Sequence, residues 1–298
     1  MKQIFIFFSV ISVGFILSCE KNITVSPPAY NNKVSITGFI EPDSIPVVYF
    51  NRTVPYFDKA VKKNELMIRN ALITINSNGS TDKLSLDSVF DKIDCQFDYF
   101  YKGHNKILAN TKYDLTIISE GKTYIANAVT NLFAPAIDSV SYVSNYNDLY
   151  GEHEGVVTYF KDVPNQVNYY RYEMIRSADT SIMKAEATIK RACLGKDTVT
   201  VHEIGRAVFE DVGKEGKQIT IIVEPAYSHK IGTKGRIFIQ SIDNNAYVFF
   251  SQLDRQKLAQ FNPFVEPVFL QEGQFGNKAI GFFAAKKNSK PITFTYPE

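Results

Sequence analysis

The feature that most constrains the fold is the recurrence of short segments in which apolar and polar residues alternate. The first of them, Val34–Ile40, alternates with a period of two, as a half-buried strand does. Turn signals separate such segments. The pair Asn78-Gly79 and the link Glu120-Gly121-Lys122 each predict a tight hairpin. Because antiparallel sheets with one solvated face produce this alternation, the chain is predicted to be all-β.

The alternating pattern is interrupted at Leu132–Pro135, where we place a domain boundary. Further strands before it are predicted at Val47–Phe50, Ala71–Ile75, Lys83–Leu86, Gln96–Tyr101, Tyr113–Ser119 and Thr123–Val129. Strands after it are predicted at Ile137–Val143, Gly155–Phe160, Tyr169–Ile175, Thr198–His202, Ile219–Glu224 and Arg236–Ile242. Seven short strands in about 100 residues are typical of an immunoglobulin-like sandwich. Residues 33–132 are therefore predicted to be such a sandwich, and residues 136–298 a second β-sandwich domain.

One segment of the second domain has helical spacing instead. Asn244–Phe261 carries apolar residues close to the period of an α-helix. Asp243 or Asn244 can cap its start, and Asn262-Pro263 ends it. We expect this helix to close one end of the second sandwich.

The amino terminus indicates export. Residues 4–17 (IFIFFSVISVGFIL) are an apolar run that follows Lys2. A membrane-spanning helix needs about 20 such residues, so the run suits the core of a signal peptide better. Its end, Leu17-Ser18-Cys19, resembles a bacterial lipoprotein cleavage signal, in which the Cys19 thiol accepts the lipid. Residues 1–18 are predicted to be the signal peptide, and residues 19–32 the lipidated cysteine and a polar tether. An ordinary signal peptide followed by an unrelated cysteine is the alternative.

Charge and motifs exclude several classes of function. The formal net charge is only +2, whereas nucleic-acid-binding domains are usually strongly basic. The sequence contains no glycine-rich phosphate loop, no G-x-S-x-G nucleophile elbow and no paired cysteine or histidine zinc signature. We therefore predict no cofactor, no metal, no nucleotide and no catalytic residue, and a protein that is not an enzyme.

Two alternatives to a binding protein stay open. A surface hydrolase would need paired carboxylates about 5 to 10 Å apart, and Glu152, Glu154, Asp162 and Asp211 are the candidates. A structural or adhesive envelope protein is the other alternative. Glu152-His153-Glu154 itself is predicted to be a solvated loop before Gly155.

Cys95 and Cys193 are the two cysteines besides Cys19. An exported protein can oxidise them to a disulfide if their Cα atoms lie within about 7 Å. The boundary at residues 133–135 puts them in different domains, which favours two separate thiols. The aromatic run Tyr99-Phe100-Tyr101 is likewise open to two interpretations, a partner-binding face or cross-strand packing, of which packing is the commoner.

Several phrases of the sequence, taken in order after Cys19, resemble one family. They are Val34–Ile40, Asn51–Phe57, Ala71–Ile75, Thr111–Leu115, Gly121–Tyr124, Asn262–Pro267 and Ala279–Phe283. The chain is similar in this respect to the Bacteroidota lipoproteins of domain-of-unknown-function family forty-two forty-nine. The resemblance implies a protein anchored by lipid to the outer membrane, at its periplasmic face or at the cell surface. It also implies a non-enzymatic accessory of a TonB-dependent receptor, because genes of the family often lie beside such receptors.

Overall fold

The computed structural model describes residues 33–54, 62–148, 151–179, 181, 193, 198–214, 216–261 and 270–297. Its strands are β1 Val34–Ile40, β2 Val47–Arg52, β3 Leu72–Ser77, β4 Ser80–Lys83, β5 Ser85–Asp91, β6 Gln96–Lys102, β7 Lys112–Ser119, β8 Lys122–Val129, β9 Ala136–Asp148, β10 Gly151–Lys161, β11 Tyr169–Asp179, β12 Thr198–Glu210, β13 Gln218–Val223, β14 Lys234–Ile242, β15 Ala279–Asn288 and β16 Ile292–Thr295. The helices are α1 Lys63–Leu66, α2 Asn244–Phe261 and a 3₁₀ turn at Gly276–Lys278.

The strands form three sheets. A nine-stranded sheet has the order β12-β11-β14-β15-β1-β2-β6-β5, and β16 pairs with β14 beside this path. A four-stranded sheet has the order β4-β3-β7-β8, and a three-stranded sheet the order β13-β10-β9. The predicted all-β, sandwich-like fold is confirmed.

Two apolar cores lie against the nine-stranded sheet. In the first, Ile36 and Phe50 pack with Leu115 of the four-stranded sheet, and all three side chains are fully buried. In the second, Tyr172 packs with Phe160 of the three-stranded sheet. The large sheet is therefore the common layer of two sandwiches.

The centre of this common layer is a parallel pair, β1 with β15, in register from Val34 opposite Ala279 to Ile40 opposite Ala285. Gly281 in this pair has a φ of +115°, and a Cβ atom there would lie 1.9 Å from the carbonyl oxygen of Ile36. Strands from both sides of residues 133–135 thus share one sheet, and the described residues from Lys33 onward cluster in one compact unit. The division into two domains at residues 132–135 stays a prediction.

Helix α2 has the predicted bounds, and Asp243 caps it by accepting hydrogen bonds from the N–H groups of Asn245 and Ala246 at 3.0 and 3.2 Å. Its position differs from the expectation. The helix packs on Phe282, whose side chain points away from the first core, whereas its neighbour Phe283 points into it. It therefore covers the middle of the nine-stranded sheet on the face opposite the cores, and does not close the end of a sandwich.

Two local predictions are wrong. The single strand predicted at Lys83–Leu86 is interrupted at Leu84, whose N–H donates to the carbonyl of Ile73 at 2.9 Å. At this buried residue the chain crosses from the four-stranded sheet (β4) to the nine-stranded sheet (β5). The predicted loop at residues 152–154 is part of β10: Glu152 and His153 pair with β9, and a register shift lies at Glu154.

Candidate functional site

Strands β5 and β6 form a hairpin at the outer edge of the nine-stranded sheet, here called the hairpin arm (residues 85–102). The two strands pair along their whole length, from Ser85 opposite Lys102 to Asp91 opposite Gln96. Strand β2 pairs with β6 only at Tyr101 and Lys102, the base of the arm. Most of the arm therefore extends beyond the pairing with β2, and β5 is the outermost strand.

One face of the arm is apolar and open to solvent. Leu86, Phe90 and Phe97 alternate onto this face, and their exposed fractions are 42%, 45% and 47%. Phe90 lies directly opposite Phe97, and their rings meet edge to face with centroids 5.2 Å apart. Large apolar side chains that are exposed together are typical of an interaction surface.

The other face of the arm is acidic. Asp87 and Asp98 lie on it, together with the exposed Val89, which is directly opposite Asp98. Residues 85–102 contain four aspartates and two lysines, although the whole chain has a net charge of +2. Asp98 pairs with Lys63 at 2.5 Å, and Asp87 with Lys102 at 3.5 Å. Burial lowers the pKa of Lys63, but its hydrogen bond to Asp98 and the charge of that carboxylate outweigh burial and raise it.

The base of the arm is fixed by Tyr101. Its hydroxyl donates to the carbonyl of Ile68 and accepts the N–H of Ala71, both at 3.0 Å. Only 2% of Tyr101 is exposed, so this residue joins β6 to the segment before β3 inside the first core.

The tip of the arm is fixed to strands β11 and β12. Asp91 Oδ1 accepts the N–H groups of Ile93 and Asp94 at 2.8 and 3.1 Å, which folds the chain into a tight turn. Ile93 then packs against a small buried cluster. The members of this cluster are Ala178, Val199 and Val201.

A disulfide between Cys95 and Cys193 fastens the same tip. Their Cα atoms are 5.7 Å apart and the cysteines are separated by 98 residues of sequence. The structure thus has the disulfide rather than two separate thiols. The sequence argument against it failed because the shared sheet brings the arm of the first predicted domain to the second.

Two of the four candidate carboxylates, Asp162 and Asp211, lie together. The side-chain amide of Asn168 donates to both, at 3.3 and 3.1 Å, and Tyr170 donates its hydroxyl to Asp162 at 2.6 Å. The two aspartates are 3% and 1% exposed. Burial and the hydrogen bond to Asp162 raise the pKa of Tyr170. This arrangement fixes the loops around the start of β11.

Glu154 lies elsewhere. It accepts hydrogen bonds from the Tyr142 hydroxyl and, at 3.0 Å, from the His229 ring. The hydrogen bond to Glu154 raises the pKa of Tyr142 to about 12. Glu154 precedes Asp162 by eight positions of extended chain, which is about 26 Å at the rise of a β-strand. This separation is several times the spacing of catalytic carboxylate pairs, and Glu152 is exposed on the same strand.

A surface cavity of about 410 Å³ lies at the base of the arm. Arg52 on its wall is paired with Glu120 at 3.1 Å, and the Arg69 guanidinium lies 3.9 Å from the centre of the Tyr99 ring. Both arginines of the cavity are thus paired or stacked, and its polar lining suits contact with a partner. Its lining residues are Arg52, Asn64, Glu65, Met67, Ile68, Arg69, Asn70 and Glu120.

Sequence reasoning missed the exposed residues of the arm, although a signal was present. The predicted strand stopped at Leu86, so Phe90 was left outside any strand. Residues Phe97, Tyr99 and Tyr101 alternate, and this alternation places them on one face. Tyr101 packs in the core, which agrees with the interpretation of the aromatic run as cross-strand packing. The exposed aromatic surface is formed by Phe90 and Phe97.

Within the described ranges, no group of three or more His, Cys, Asp or Glu side chains is arranged to hold a metal ion. In the same part of the chain, no helix combines the length and the apolar character needed to cross a bilayer. The predicted signal peptide, the lipidation residue Cys19 and the tether lie outside the described residues.

Comparison with known families gives one result. The family model described as Domain of unknown function (DUF4249) matches residues 20–290. This range includes the hairpin arm and both cysteines of the disulfide. No curated protein matches the chain.

Proposed function

The chain belongs to the DUF4249 family, and on this premise we propose that it is a lipid-anchored interaction protein of the cell envelope. In this proposal it binds a partner protein at the outer membrane and catalyses no reaction. The proposed partner is a TonB-dependent receptor, because the family resemblance implies one: genes of the family often lie beside such receptors. The observation that carries the proposal is the hairpin arm, whose exposed apolar face is fixed at both ends.

Two features support the location. The apolar run at residues 4–17 and Cys19 have the arrangement of a lipoprotein signal. The Cys95–Cys193 disulfide fits an oxidising compartment, because disulfides persist outside the cytosol and are rare inside it. Lipid chains at Cys19 would hold the protein at the membrane surface without a spanning helix.

Anchoring explains how a modest contact surface is sufficient. A protein confined to the membrane that contains its partner meets it at a high effective concentration, so individually weak contacts give stable association. Leu86, Phe90 and Phe97 supply the apolar part of such a contact. The cavity at the base of the arm supplies polar groups beside it.

The test is co-purification of the tagged full chain from native membranes in mild detergent, followed by identification of the companion proteins. We expect an envelope receptor to accompany the wild-type chain. Cys19→Ala should leave the membrane fraction, and the double substitution Leu86→Ser with Phe90→Ser should stay in the membrane but lose the receptor.

Ile125→Ser is the matched control, since Ile125 is an apolar side chain 62% exposed on the four-stranded sheet, away from the arm. It should retain the receptor. Recovery of the wild-type chain from membranes without any envelope receptor would contradict the proposal. Retention of the receptor by the double variant would place the contact elsewhere.

A further inference from the structure

We propose that the outer edge of β5 is a strand-docking site, which pairs with an extended partner segment in which apolar and basic side chains alternate. The inference rests on the proposed function, because it names the contact by which the arm holds its partner. Such β-augmentation takes its affinity from main-chain hydrogen bonds and its specificity from alternate side chains.

The edge of β5 lacks the usual protection against strand pairing. Edge strands are commonly short or carry lysine, proline or a bulge. Strand β5 has seven residues (SLDSVFD), contains neither lysine nor proline, and pairs with β6 without a register shift. Every residue from Ser85 to Phe90 is exposed. Two aspartates are its only charged residues, and they make it selective for positive charge.

Hydrogen-bond alternation shows which groups face the open edge. The N–H of Gly103, just beyond β6, donates to the carbonyl of Pro46 at 2.9 Å. The backbone N–H and C=O groups of the odd-numbered residues of β6 therefore point toward β2, and those of the even-numbered residues point toward β5. Ser85 lies opposite Lys102, so the backbone groups of Ser85 and of the other odd-numbered residues of β5 face β6. The N–H and C=O groups of the alternate residues point outward. These residues are Leu86, Ser88 and Phe90.

One of these outward groups already has a partner. The N–H of Ser88 donates to Oδ1 of Asp87 at 2.8 Å. A docking strand would displace this local contact and bond to Leu86 and Phe90 on either side of it. Oδ1 of Asp87 would then be released to a basic side chain of the docked strand, while Oδ2 keeps its exposed pair with Lys102 at 3.5 Å.

The two faces of the arm define the side chains of the partner. A strand beside β5 alternates its side chains between the same two faces. On one face they would lie next to Leu86 and Phe90, which favours apolar residues. On the other they would lie next to Asp87, Val89 and Asp91, and the two aspartates favour lysine or arginine there.

A second copy of the chain suits this edge less well. Antiparallel pairing of two β5 strands about Ser88 would place Asp87 of each copy diagonally across from Asp87 and Asp91 of the other. Diagonal neighbours in a sheet lie about 7 to 8 Å apart, so the like charges would repel. A basic strand converts the same positions into attractive pairs.

The arm is also ordered before a partner binds. Tyr101 fixes its base, and Ile93 with the Cys95–Cys193 disulfide fixes its tip. A strand that is already ordered loses little conformational freedom on binding, which favours affinity.

The test uses the full chain in mild detergent and a capped eight-residue peptide of alternating valine and lysine, with binding measured by fluorescence anisotropy. An alternating valine and glutamate peptide is the charge-reversed control, and we expect it to bind at least tenfold more weakly. We also compare two N-methylated versions of the lysine peptide, each methylated at every second residue. Because only one set of N–H groups faces β5, one version should lose binding at least tenfold and the other should retain it.

Two protein variants test the same edge. Phe90→Pro removes an outward N–H group without removing a hydrogen bond to β6. It should therefore weaken binding of the lysine peptide at least tenfold. Asp87→Lys together with Asp91→Lys should reverse the preference, so that the glutamate peptide binds better. This reversal cannot arise from loss of folding.

Several outcomes would overturn the inference: no binding of the lysine peptide, equal binding of the two peptides, or equal effects of the two methylation patterns. Self-association of the chain that Phe90→Pro abolishes, without peptide binding, would assign the edge to a second copy instead. A negative peptide result with a receptor still recovered from membranes would reject strand docking and leave the proposed function standing.

Discussion

Arg176 and Glu203 form a two-point ion pair inside the protein, with Nε donating to Oε2 at 3.1 Å and Nη2 to Oε1 at 2.7 Å. Their side chains are 1% and 2% exposed. The pair joins β11 to β12, and the Arg176 guanidinium also donates to the carbonyl of Tyr227 at 2.6 Å. A buried pair of this kind makes each partner dependent on the other.

We therefore expect Arg176→Met to lower the free energy of unfolding by about 3 to 5 kcal/mol, because it leaves the Glu203 carboxylate buried and uncompensated. The double variant Arg176→Met with Glu203→Leu should recover much of this loss. Urea unfolding followed by circular dichroism measures both. Arg52→Met at the exposed Arg52–Glu120 pair is the control, expected to change stability by at most about 1 kcal/mol.

Removing the disulfide should destabilise the chain and loosen the arm. The bond closes a loop of 98 residues, and the chain-entropy argument assigns such a loop about 4 to 5 kcal/mol. Cys95→Ser with Cys193→Ser should show this loss in urea unfolding. The oxidised wild type treated with a reductant should then match the double variant; if reduction leaves its stability unchanged, the bond is absent from the purified protein.

Asp82 should make stability depend on pH. Burial raises the pKa of its carboxyl, but hydrogen bonds from the N–H groups of Asn105 and His104 and from the His104 ring outweigh burial and lower it. Since the folded pKa lies below the unfolded value of about 3.9, the stabilisation is present above that value and is lost as pH falls through the folded pKa.

Asp82→Asn should accordingly lower the free energy of unfolding by about 1 to 3 kcal/mol at pH 7. The difference from the wild type should shrink as pH is lowered below about 4. Denaturant titrations at a series of pH values measure it. Asp114→Asn, at an exposed lysine pair, should change stability by less than about 0.5 kcal/mol at pH 7. A difference that grows on acidification would contradict the assignment.

Gly281 should be intolerant of any side chain. Its φ of +115° and the Ile36 carbonyl oxygen, 1.9 Å from where a Cβ would stand, combine backbone strain with a clash inside the sheet. We expect Gly281→Ala to lower the free energy of unfolding by at least about 3 kcal/mol. Gly79→Ala is the control, because Gly79 has a φ of +77° but open space around it. Its cost should be about 1 kcal/mol, and similar losses for both variants would contradict the role of the clash.

The parts of the fold that follow local rules could be predicted from the sequence. Strand β1 and helix α2 have the predicted bounds, because alternation and a capping aspartate are encoded within the segment. The hairpin turns at Asn78-Gly79 and Glu120-Gly121 adopt the positive φ angles that their residues favour.

The parts that depend on distant contacts could not. Strand β15 was not predicted as a strand, because its centre, Phe282–Ala285, is buried on both faces and does not alternate. Its pairing with β1 joins residues far apart in sequence and has no local signal. The shared sheet and the disulfide both follow from this pairing, so sequence reasoning missed them. The exposed arm was missed because the crossing between sheets at Leu84 was interpreted as the middle of a strand.

The central parallel pair has a consequence for how the molecule is made. Strand β1 is synthesised long before its parallel neighbour β15, from which it is separated by most of the described chain. Closing so long a loop is slow and entropically unfavourable until the contacts form. The interior of the sheet is thus completed only after β15 has been made, and a chain truncated before Ala279 would leave Ile36 and Ile40 without their neighbouring strand.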